Sequence, residues 1–270
     1  MPAPTHVPVR SRPAVHLALL TTALLGSSTA LAGTLRVGAT PVPAGELLEF
    51  VRPVLARQGV TLVIREFSDY VQPNLALGDG SLDANLFQHE PYLNAFQAGR
   101  PLNIVPVRRI YLPPLGLYSK RVSKVTDLNT GATIAIPNDP SNGARALLLL
   151  ERAGLIRLKT GVGVRASVAD IRSNVRRLKF RELEAAQLPR SLADVDAAII
   201  NTNYALEIGL NPERDAIYRE GQGSLYANVL ATTRDKVNNP DLKKLTAVLT
   251  SPEVRAWLLR KYGGSVIPAF

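Results

Sequence analysis

The segment from Ile134 to Arg145 places a basic side chain close to the start of a predicted helix. A short β-branched run ends at Pro137. Asp139 followed by Pro140 is typical of a helix N-terminus, because Asp accepts bonds from free backbone N–H groups and Pro fits the first helical position. The partial positive charge of a helix N-terminus, with Arg145 beside it, can bind a small carboxylate. A surface Arg on a capped helix is an equally good explanation of this segment alone.

Aromatic side chains stand at the ends of the predicted strands in the first half of the chain. They are Tyr70, Phe87, His89 and Tyr92. In open α/β sheets, ligands bind beyond the carboxyl ends of the strands. Each ring by itself is typical of a core or a helix cap, but together the four rings predict one wall of a pocket.

His89 needs separate consideration, because a histidine in a cleft can act as a general base or a metal ligand. The other two histidines, His6 and His16, lie in a predicted leader, and the chain has no Cys. A dedicated zinc site is therefore not expected. We predict a packing or hydrogen-bonding role for His89, and no metal or other cofactor.

The elements that position these rings begin with a β-α-β pattern. A strand at 34–40, a helix at 46–58 with one apolar face and a strand at 60–67 indicate a parallel sheet with a right-handed crossover. Two helices at the C-terminal end would close the chain, and we expect residues 265–270 to form a tail.

The pattern restarts at Thr133, which predicts a second α/β lobe. Asn201 lies at the carboxyl edge of a predicted strand in that lobe. Asn203 is better placed to be the N-cap of the helix that follows. A strand at 226–232 could return to the first lobe, with Asn228 at the crossing.

We therefore expect an α/β protein with two lobes. Lobe 1 would contain residues 33–118 and 229–270, and lobe 2 residues 119–228. Crossings near 118–124 and 225–228 would form a hinge, since two connecting segments restrain the lobes more than one flexible linker does.

Residues 1–32 are typical of an export signal, with Arg10 and Arg12, an apolar stretch and a small-residue cleavage site before Gly33. Polar residues interrupt the apolar stretch, so an uncleaved membrane anchor is the weaker alternative. The absence of Cys excludes disulfides and a lipid anchor on an N-terminal cysteine. We expect a periplasmic or other extracytoplasmic protein that is soluble after cleavage.

Composition describes an ordinary globular protein, with 46% hydrophobic and 20% charged residues. The formal charge of +10 suggests nucleic acid as a partner, but the basic residues are dispersed. The densest group, from Arg172 to Arg181, has little aromatic interleaving, and export argues against DNA or RNA. We interpret this group as a solvated face or as one that meets an anionic membrane surface.

With these residues in view, the chain resembles the substrate-binding proteins of methionine importers, the NlpA or lipoprotein-9 family. The matching stretches cover essentially the whole mature chain in order. They include VGATPVPAGELLE from Val37, FSDYVQPNLAL from Phe67, LDANLFQHEPYL from Leu82, ATIAIPNDPSNGARALLLLERAGLIRLK from Ala132, LEAAQLPRSLADVDAAIINTNYALEIGLNP from Leu183 and the C-terminal SVIPAF.

The resemblance implies a two-lobed periplasmic-binding-protein fold that delivers L-methionine, or a close analogue, to the membrane permease of an ATP-driven (ABC) importer. It implies an aromatic wall, a carboxylate anchor and a polar end. The aromatic wall would consist of Tyr70, Phe87, His89 and Tyr92. The carboxylate anchor would be Arg145 beside Asn142, and the polar end would consist of Asn201, Asn203 and Asn228. Many family members carry a lipidated cysteine where this chain has Ala30-Leu-Ala-Gly33.

In the binding mechanism that this resemblance implies, Arg145 holds the ligand carboxylate by paired hydrogen bonds, which a Lys could not reproduce. Asn oxygens receive the ammonium, and the thioether packs on the rings. We expect a monomer. The alternatives are a binder of another apolar amino acid or a methionine dipeptide, and an enzyme on the same architecture. Asp69 and Glu90 lie near the right strand edges, but no nucleophile elbow, phosphate loop or paired-carboxylate motif accompanies them.

Overall fold

The computed structural model describes residues 1–6, 8, 33–221 and 223–270. The chain divides into two units, Met1–Leu31 and Ala32–Phe270. In the first unit, the described residues are exposed and belong to no helix or strand. The predicted signal at 1–32 otherwise lies outside the described residues. Among the helices that the structure describes, none combines the length and the apolar character needed to cross a bilayer.

Helices and strands alternate through the second unit. The strands are β1 Gly33–Ala39, β2 Val60–Glu66, β3 Ala84–His89, β4 Ile104–Leu112, β5 Gly116–Tyr118, β6 Thr133–Pro137, β7 Arg157–Leu158, β8 Ile171–Ser173, β9 Lys179–Leu183, β10 Ala197–Ile200, β11 Tyr218–Arg219, β12 Asn228–Thr233 and β13 Ile267–Pro268. The helices are α1 Glu46–Arg57, α2 Gln72–Gly78, α3 Glu90–Gln97, α4 Pro140–Arg152, α5 Leu188–Ser191, α6 Thr202–Glu207, α7 Pro240–Leu249 and α8 Pro252–Tyr262.

The first sheet has the strand order β13-β4-β12-β3-β1-β2. β1 pairs in parallel with β2 and β3, and β12 runs antiparallel between β3 and β4. The predicted β-α-β unit is confirmed, because α1 connects β1 to β2 and buries one apolar face. The buried face consists of Leu47, Leu48, Val51 and Leu55.

The second sheet has the order β11-β5-β10-β6-β9. Strands β10, β6 and β9 are parallel to one another, while β5 runs antiparallel to both of its neighbours, β10 and β11. The predicted restart of the pattern at Thr133 is confirmed, because β6 begins there and α4 follows it. We refer to the first sheet with its helices as lobe 1 and to the second sheet with its helices as lobe 2.

The chain passes between the sheets twice. It leaves the first sheet after Leu112 and enters the second at Gly116, then returns between Arg219 and Asn228. The first passage therefore comes before the segment 118–124 that the sequence suggested, because β5 hydrogen-bonds to β10 of lobe 2. Residues 265–270 are not simply a tail, since Ile267 pairs with Leu112 at the edge of β4.

Each lobe has its own buried apolar core. In lobe 1, Leu35, Val37, Leu86 and Leu230 from the sheet pack against α1, α7 and α8. In lobe 2, β6 and β10 pack against the buried face of α4. Two independent cores let each lobe hold its half of a shared site in a fixed shape, since close-packed interiors deform little.

Candidate ligand-binding site

A small cavity lies between the two lobes. The structure brings all nine predicted site residues to its wall: Tyr70, Phe87, His89, Tyr92, Asn142, Arg145, Asn201, Asn203 and Asn228. Gln88, Pro113 and Thr202 also line it, and the sequence did not single these out. The binding role of each residue remains a prediction.

The N-terminus of α4 is organised by Asp139, as predicted. Its Oδ1 accepts the backbone N–H of Asn142 at 2.9 Å, and its carboxylate also accepts the Asn142 side-chain Nδ2. This fixes the Asn142 amide with its oxygen directed away from Asp139. That oxygen accepts Asn201 Nδ2 at 2.9 Å and lies 3.1 Å from His89 Nε2. Asn142 therefore links lobe 1 to lobe 2 through its side chain.

His89 is the N-cap of α3. Its Nδ1 accepts the backbone N–H of Tyr92 at 3.1 Å, so the proton of the neutral ring lies on Nε2 and is donated to Asn142. Burial, together with the charge of Arg145, lowers the pKa of His89 to about 3. The predicted hydrogen-bonding role is confirmed. Because both ring nitrogens are engaged within the protein, neither is available for proton transfer or metal ligation.

The neutral state of His89 predicts a specific pH dependence. The pKa in the folded protein lies below the ordinary 6.5, so the unfolded chain takes up the proton first as the pH falls. The contribution of His89 to the free energy of unfolding should decrease by roughly 1.4 kcal/mol per pH unit below pH 6.5, until the folded histidine also titrates near pH 3. Urea denaturation of the wild type and of His89→Gln at several pH values between 7 and 4 measures this contribution.

The stability difference between these two proteins should shrink or reverse sign as the pH falls, because Gln does not titrate. Two denaturation series that remain parallel over this range would mean that His89 is not held neutral in the fold.

Arg145 is fully buried in α4, at 2% exposure, and its guanidinium is held on several sides. Nε donates to Glu220 Oε1 at 2.8 Å, and Nη2 donates to Glu220 Oε2 at 2.5 Å and to the carbonyl of Pro113 at 2.9 Å. The ring of Tyr226 lies 4.5 Å from the guanidinium carbon. The expected paired hydrogen bonds of Arg145 are therefore formed with Glu220, not left free for a ligand carboxylate. Within the described part of the chain Nη1 has no hydrogen bond, so it is the nitrogen that can bind a ligand.

Glu220 was missed by the sequence analysis. It follows the two-residue strand β11 and stands 75 positions from Arg145 along the chain. No periodicity or local motif relates two residues at such a separation. A buried Arg needs a counter-charge, which could have prompted a search for an acidic partner, but the sequence does not say which acid is close.

Buried side-chain amides form the polar end of the cavity. Asn201 occupies the N-cap position of α6, and its Oδ1 has no hydrogen-bond partner among the described residues. The prediction of Asn203 as the N-cap was wrong, because α6 begins at Thr202, two residues before the start at Tyr204 that an Asn203 N-cap requires. Asn203 instead accepts the Tyr70 hydroxyl at 2.5 Å through Oδ1, and its buried Nδ2 has no partner in the described structure. Asn228 Nδ2 donates to the carbonyl of Phe87.

Three rings of the predicted aromatic wall form one cluster, and the fourth, His89, lies edge-on to Tyr92. The centroids of Tyr70, Phe87 and Tyr92 lie 5.7 to 6.0 Å apart. Tyr204 of lobe 2, which the sequence analysis missed, also contacts Tyr70, with the ring centroids 5.1 Å apart and the ring planes tilted by 35°. Burial raises the pKa of the Tyr70 hydroxyl well above its usual value, so this group acts as a hydrogen-bond donor.

Side chains from the two lobes touch directly across the cleft. Tyr70 of lobe 1 donates to Asn203, and Tyr204 of lobe 2 donates to the Ser68 carbonyl at 3.0 Å. The hydrogen bond from His89 to Asn142 is the third such link. These links hold the lobes in a closed arrangement around the cavity. Among the described residues, no group of three or more His, Cys, Asp or Glu side chains is placed to hold a metal ion.

Comparison with known proteins agrees with this architecture. A nutrient-binding protein from Burkholderia cenocepacia, solved bound to methionine, is 46% identical with a TM-score of 0.85 over 87% of this chain and 100% of its own. A periplasmic substrate-binding protein of an ABC transporter from Coxiella burnetii is 51% identical, with a TM-score of 0.84 and the same coverage. The D-methionine-binding lipoprotein MetQ of Escherichia coli K12 is 41% identical over 78% of this chain and 79% of its own length.

The fold and the cavity between its lobes place the protein among the two-lobed periplasmic binding proteins, as predicted. The family model described as NlpA lipoprotein matches residues 35–270. The chain belongs to the NlpA lipoprotein family, and the resemblance inferred from the sequence is confirmed. The names of several relatives include the word lipoprotein, which counts against the expected lack of a lipid anchor, although the 270 residues contain no Cys.

Proposed function

We propose that this protein is an extracytoplasmic substrate-binding protein that captures L-methionine, or a close analogue, between its lobes and delivers it to the membrane permease of an ABC importer. One observation carries the proposal. A cavity between two lobes is lined by a cation, by an amide oxygen that has no partner among the described residues and by a cluster of aromatic rings. Relatives that bind methionine by name or in their crystals support the choice of ligand.

The polar groups of the cavity match the head of an amino acid. Arg145 offers Nη1 to a carboxylate in a charge-assisted hydrogen bond. Asn201 offers Oδ1, an acceptor that can receive an ammonium group without adding charge to the site. A buried acceptor without a partner is unfavourable by about 1–3 kcal/mol, so a ligand donor at this position contributes directly to affinity.

The aromatic end matches an apolar side chain with a sulfur atom. Contacts between a thioether and aromatic rings contribute on the order of 0.3–1.5 kcal/mol, and Tyr70, Phe87 and Tyr92 provide several rings close together. Selectivity for methionine over leucine then rests on these contacts and on the shape of the cavity. One such contact is worth about tenfold at most, so we expect leucine to bind more weakly without being fully excluded.

Binding of this kind couples to closure of the lobes. Arg145 and Asn201 belong to lobe 2, and Phe87 and Tyr92 belong to lobe 1, so a ligand touching both sets has more contacts in the closed state. A ligand shifts such an equilibrium by its difference in affinity for the two states. The importer then recognises the closed, loaded form. We propose that the protein acts as a monomer and without nucleic acid.

Catalysis is not part of the proposal. His89, the titratable imidazole of the cavity, has a pKa lowered to about 3 and donates its proton to Asn142, so it is a poor general base. The related proteins reported above are binding proteins by name. Another apolar amino acid, a methionine dipeptide or the D-enantiomer remains an alternative ligand within the same binding function. We propose that the export signal at 1–32 directs the protein out of the cytoplasm.

The test is to unfold the purified protein, identify the small molecule that is released, and titrate the refolded protein calorimetrically. L-methionine should be released and should bind with a Kd below about 1 µM, more tightly than leucine. D-methionine and a methionine dipeptide are titrated in parallel. If a ligand without a thioether bound more tightly than methionine, that ligand would replace methionine as the proposed substrate. If no amino acid bound, the proposed function would be refuted.

A further inference from the structure

Glu220 connects Arg145, the proposed ligand-binding cation, to both passages between the lobes through hydrogen bonds. Its carboxylate accepts two hydrogen bonds from Arg145 and one from the backbone N–H of Leu115 at 3.1 Å. Its own backbone N–H donates to the Leu115 carbonyl at 2.9 Å. Leu115 lies in the first passage and Glu220 begins the second. At 3% exposure, the carboxylate is as well buried as the guanidinium that it contacts.

The pair decides which part of Arg145 a ligand can reach. Glu220 and the Pro113 carbonyl use Nε and Nη2, and the Tyr226 ring covers one face of the guanidinium. Nη1 is left without a hydrogen bond among the described residues, and Arg145 lines the cavity. A ligand carboxylate can therefore bind at one nitrogen of the Arg145 guanidinium, and Glu220 fixes the orientation of that guanidinium.

The pair also sets the net charge next to the ligand. Arg145 and Glu220 cancel, and His89 is neutral. Asp139 carries a charge but lies at a partly exposed helix N-terminus, where it caps α4. An anion entering this site would gain no net counter-charge in exchange for its hydration. A zwitterion brings its own ammonium, which the Asn201 oxygen can accept.

We propose that Glu220 is a specificity-determining residue, which orients Arg145 and cancels its charge so that the cavity selects zwitterionic amino acids over singly charged anions of the same shape. The inference rests on the proposed binding of methionine. Glu220 acts through Arg145 and is a positioning residue in that sense. Its effect on selectivity distinguishes it from a residue that only supports the fold.

The experiment compares methionine with 4-(methylthio)butanoate, which lacks the ammonium group and carries a net charge of −1. The wild type should bind methionine at least about a hundredfold more tightly than this acid. In Glu220→Gln, which keeps the shape of the side chain but not its charge, that ratio should fall by about tenfold or more. One uncompensated charge in a buried site is sufficient for a change of this size.

Two control variants accompany this measurement. Glu220→Asp keeps the charge and shortens the side chain, so both affinities should fall while their ratio is kept. Glu213→Gln removes an exposed acid paired with the neighbouring Arg219, and should change neither affinity nor ratio. An equal loss of both affinities in Glu220→Gln would overturn the proposal, because it would show a purely structural role.

The wild type alone also tests the inference if Glu220→Gln does not fold. Equal affinity of the wild type for methionine and 4-(methylthio)butanoate would contradict charge cancellation directly. Failure of the wild type to bind methionine at all would instead refute the proposed function.

Discussion

Arg145→Ala should lower the affinity for methionine by about a thousandfold and destabilise the protein at the same time. Removing one partner of a buried, hydrogen-bonded charge pair is unfavourable by about 2–5 kcal/mol in binding, and a thousandfold corresponds to about 4 kcal/mol. The ligand carboxylate loses Nη1, and Glu220 remains buried without its guanidinium. Such an unpaired charge should lower the free energy of unfolding by about 3–5 kcal/mol. Titration calorimetry and urea denaturation measure the two effects separately.

The same helix provides a matched control. Arg152 lies at the exposed C-terminal end of α4, and Arg152→Ala should leave methionine affinity unchanged. The double variant Arg145→Ala with Glu220→Ala should recover part of the lost stability, because it also removes the unpaired carboxylate, while binding stays lost. Full affinity in Arg145→Ala would remove this residue from the site. Loss of binding without any loss of stability would contradict the buried ion pair.

Tyr70→Ala should weaken methionine binding by about a hundredfold. Two contributions add: the ring lines the cavity beside Phe87 and Tyr92, and the hydroxyl bridges the lobes by donating to Asn203. Loss of aromatic contacts to sulfur is worth up to about 1.5 kcal/mol, and loss of the hydrogen bond between the lobes about 0.5–1.5 kcal/mol. Together they approach the 2.7 kcal/mol that a hundredfold change requires.

Tyr70→Phe separates these contributions. It keeps the ring and removes the hydroxyl, so the loss of affinity should be about tenfold or less, with an increased dissociation rate as the lobes open more readily. Stopped-flow fluorescence with the same ligand gives that rate. If Tyr70→Phe were as impaired as Tyr70→Ala, the ring would have no role in holding the ligand.

The sequence contained enough information for the framework of the site. Asp139 and Pro140 marked the N-terminus of α4, and the spacing of apolar residues marked α1, because local capping and periodicity are written in neighbouring residues. The aromatic wall could be predicted since side chains at the carboxyl ends of strands in one sheet meet at one edge. These patterns depend only on where a residue stands along its own helix or strand, and that position can be inferred from the sequence.

Contacts between distant parts of the chain could not be predicted from the sequence in this way. Glu220 follows a strand of two residues that has no detectable period, and its partner lies on another element. Asn203 had the composition of an N-cap, but its contact with Tyr70 spans 133 positions and both lobes. β5 has only three residues, and nothing in them indicates which sheet it joins. Each of these features depends on tertiary packing between segments that are far apart in the sequence.

The position of methionine in a crystal structure of the protein bound to it tests the central claim most directly. The account predicts the carboxylate within hydrogen-bonding distance of Arg145 Nη1, the ammonium at Asn201 Oδ1 and the thioether among the rings of Tyr70, Phe87 and Tyr92. The Arg145–Glu220 pair should remain intact. Methionine bound outside this cavity, or in it with its thioether towards Arg145, would contradict the account.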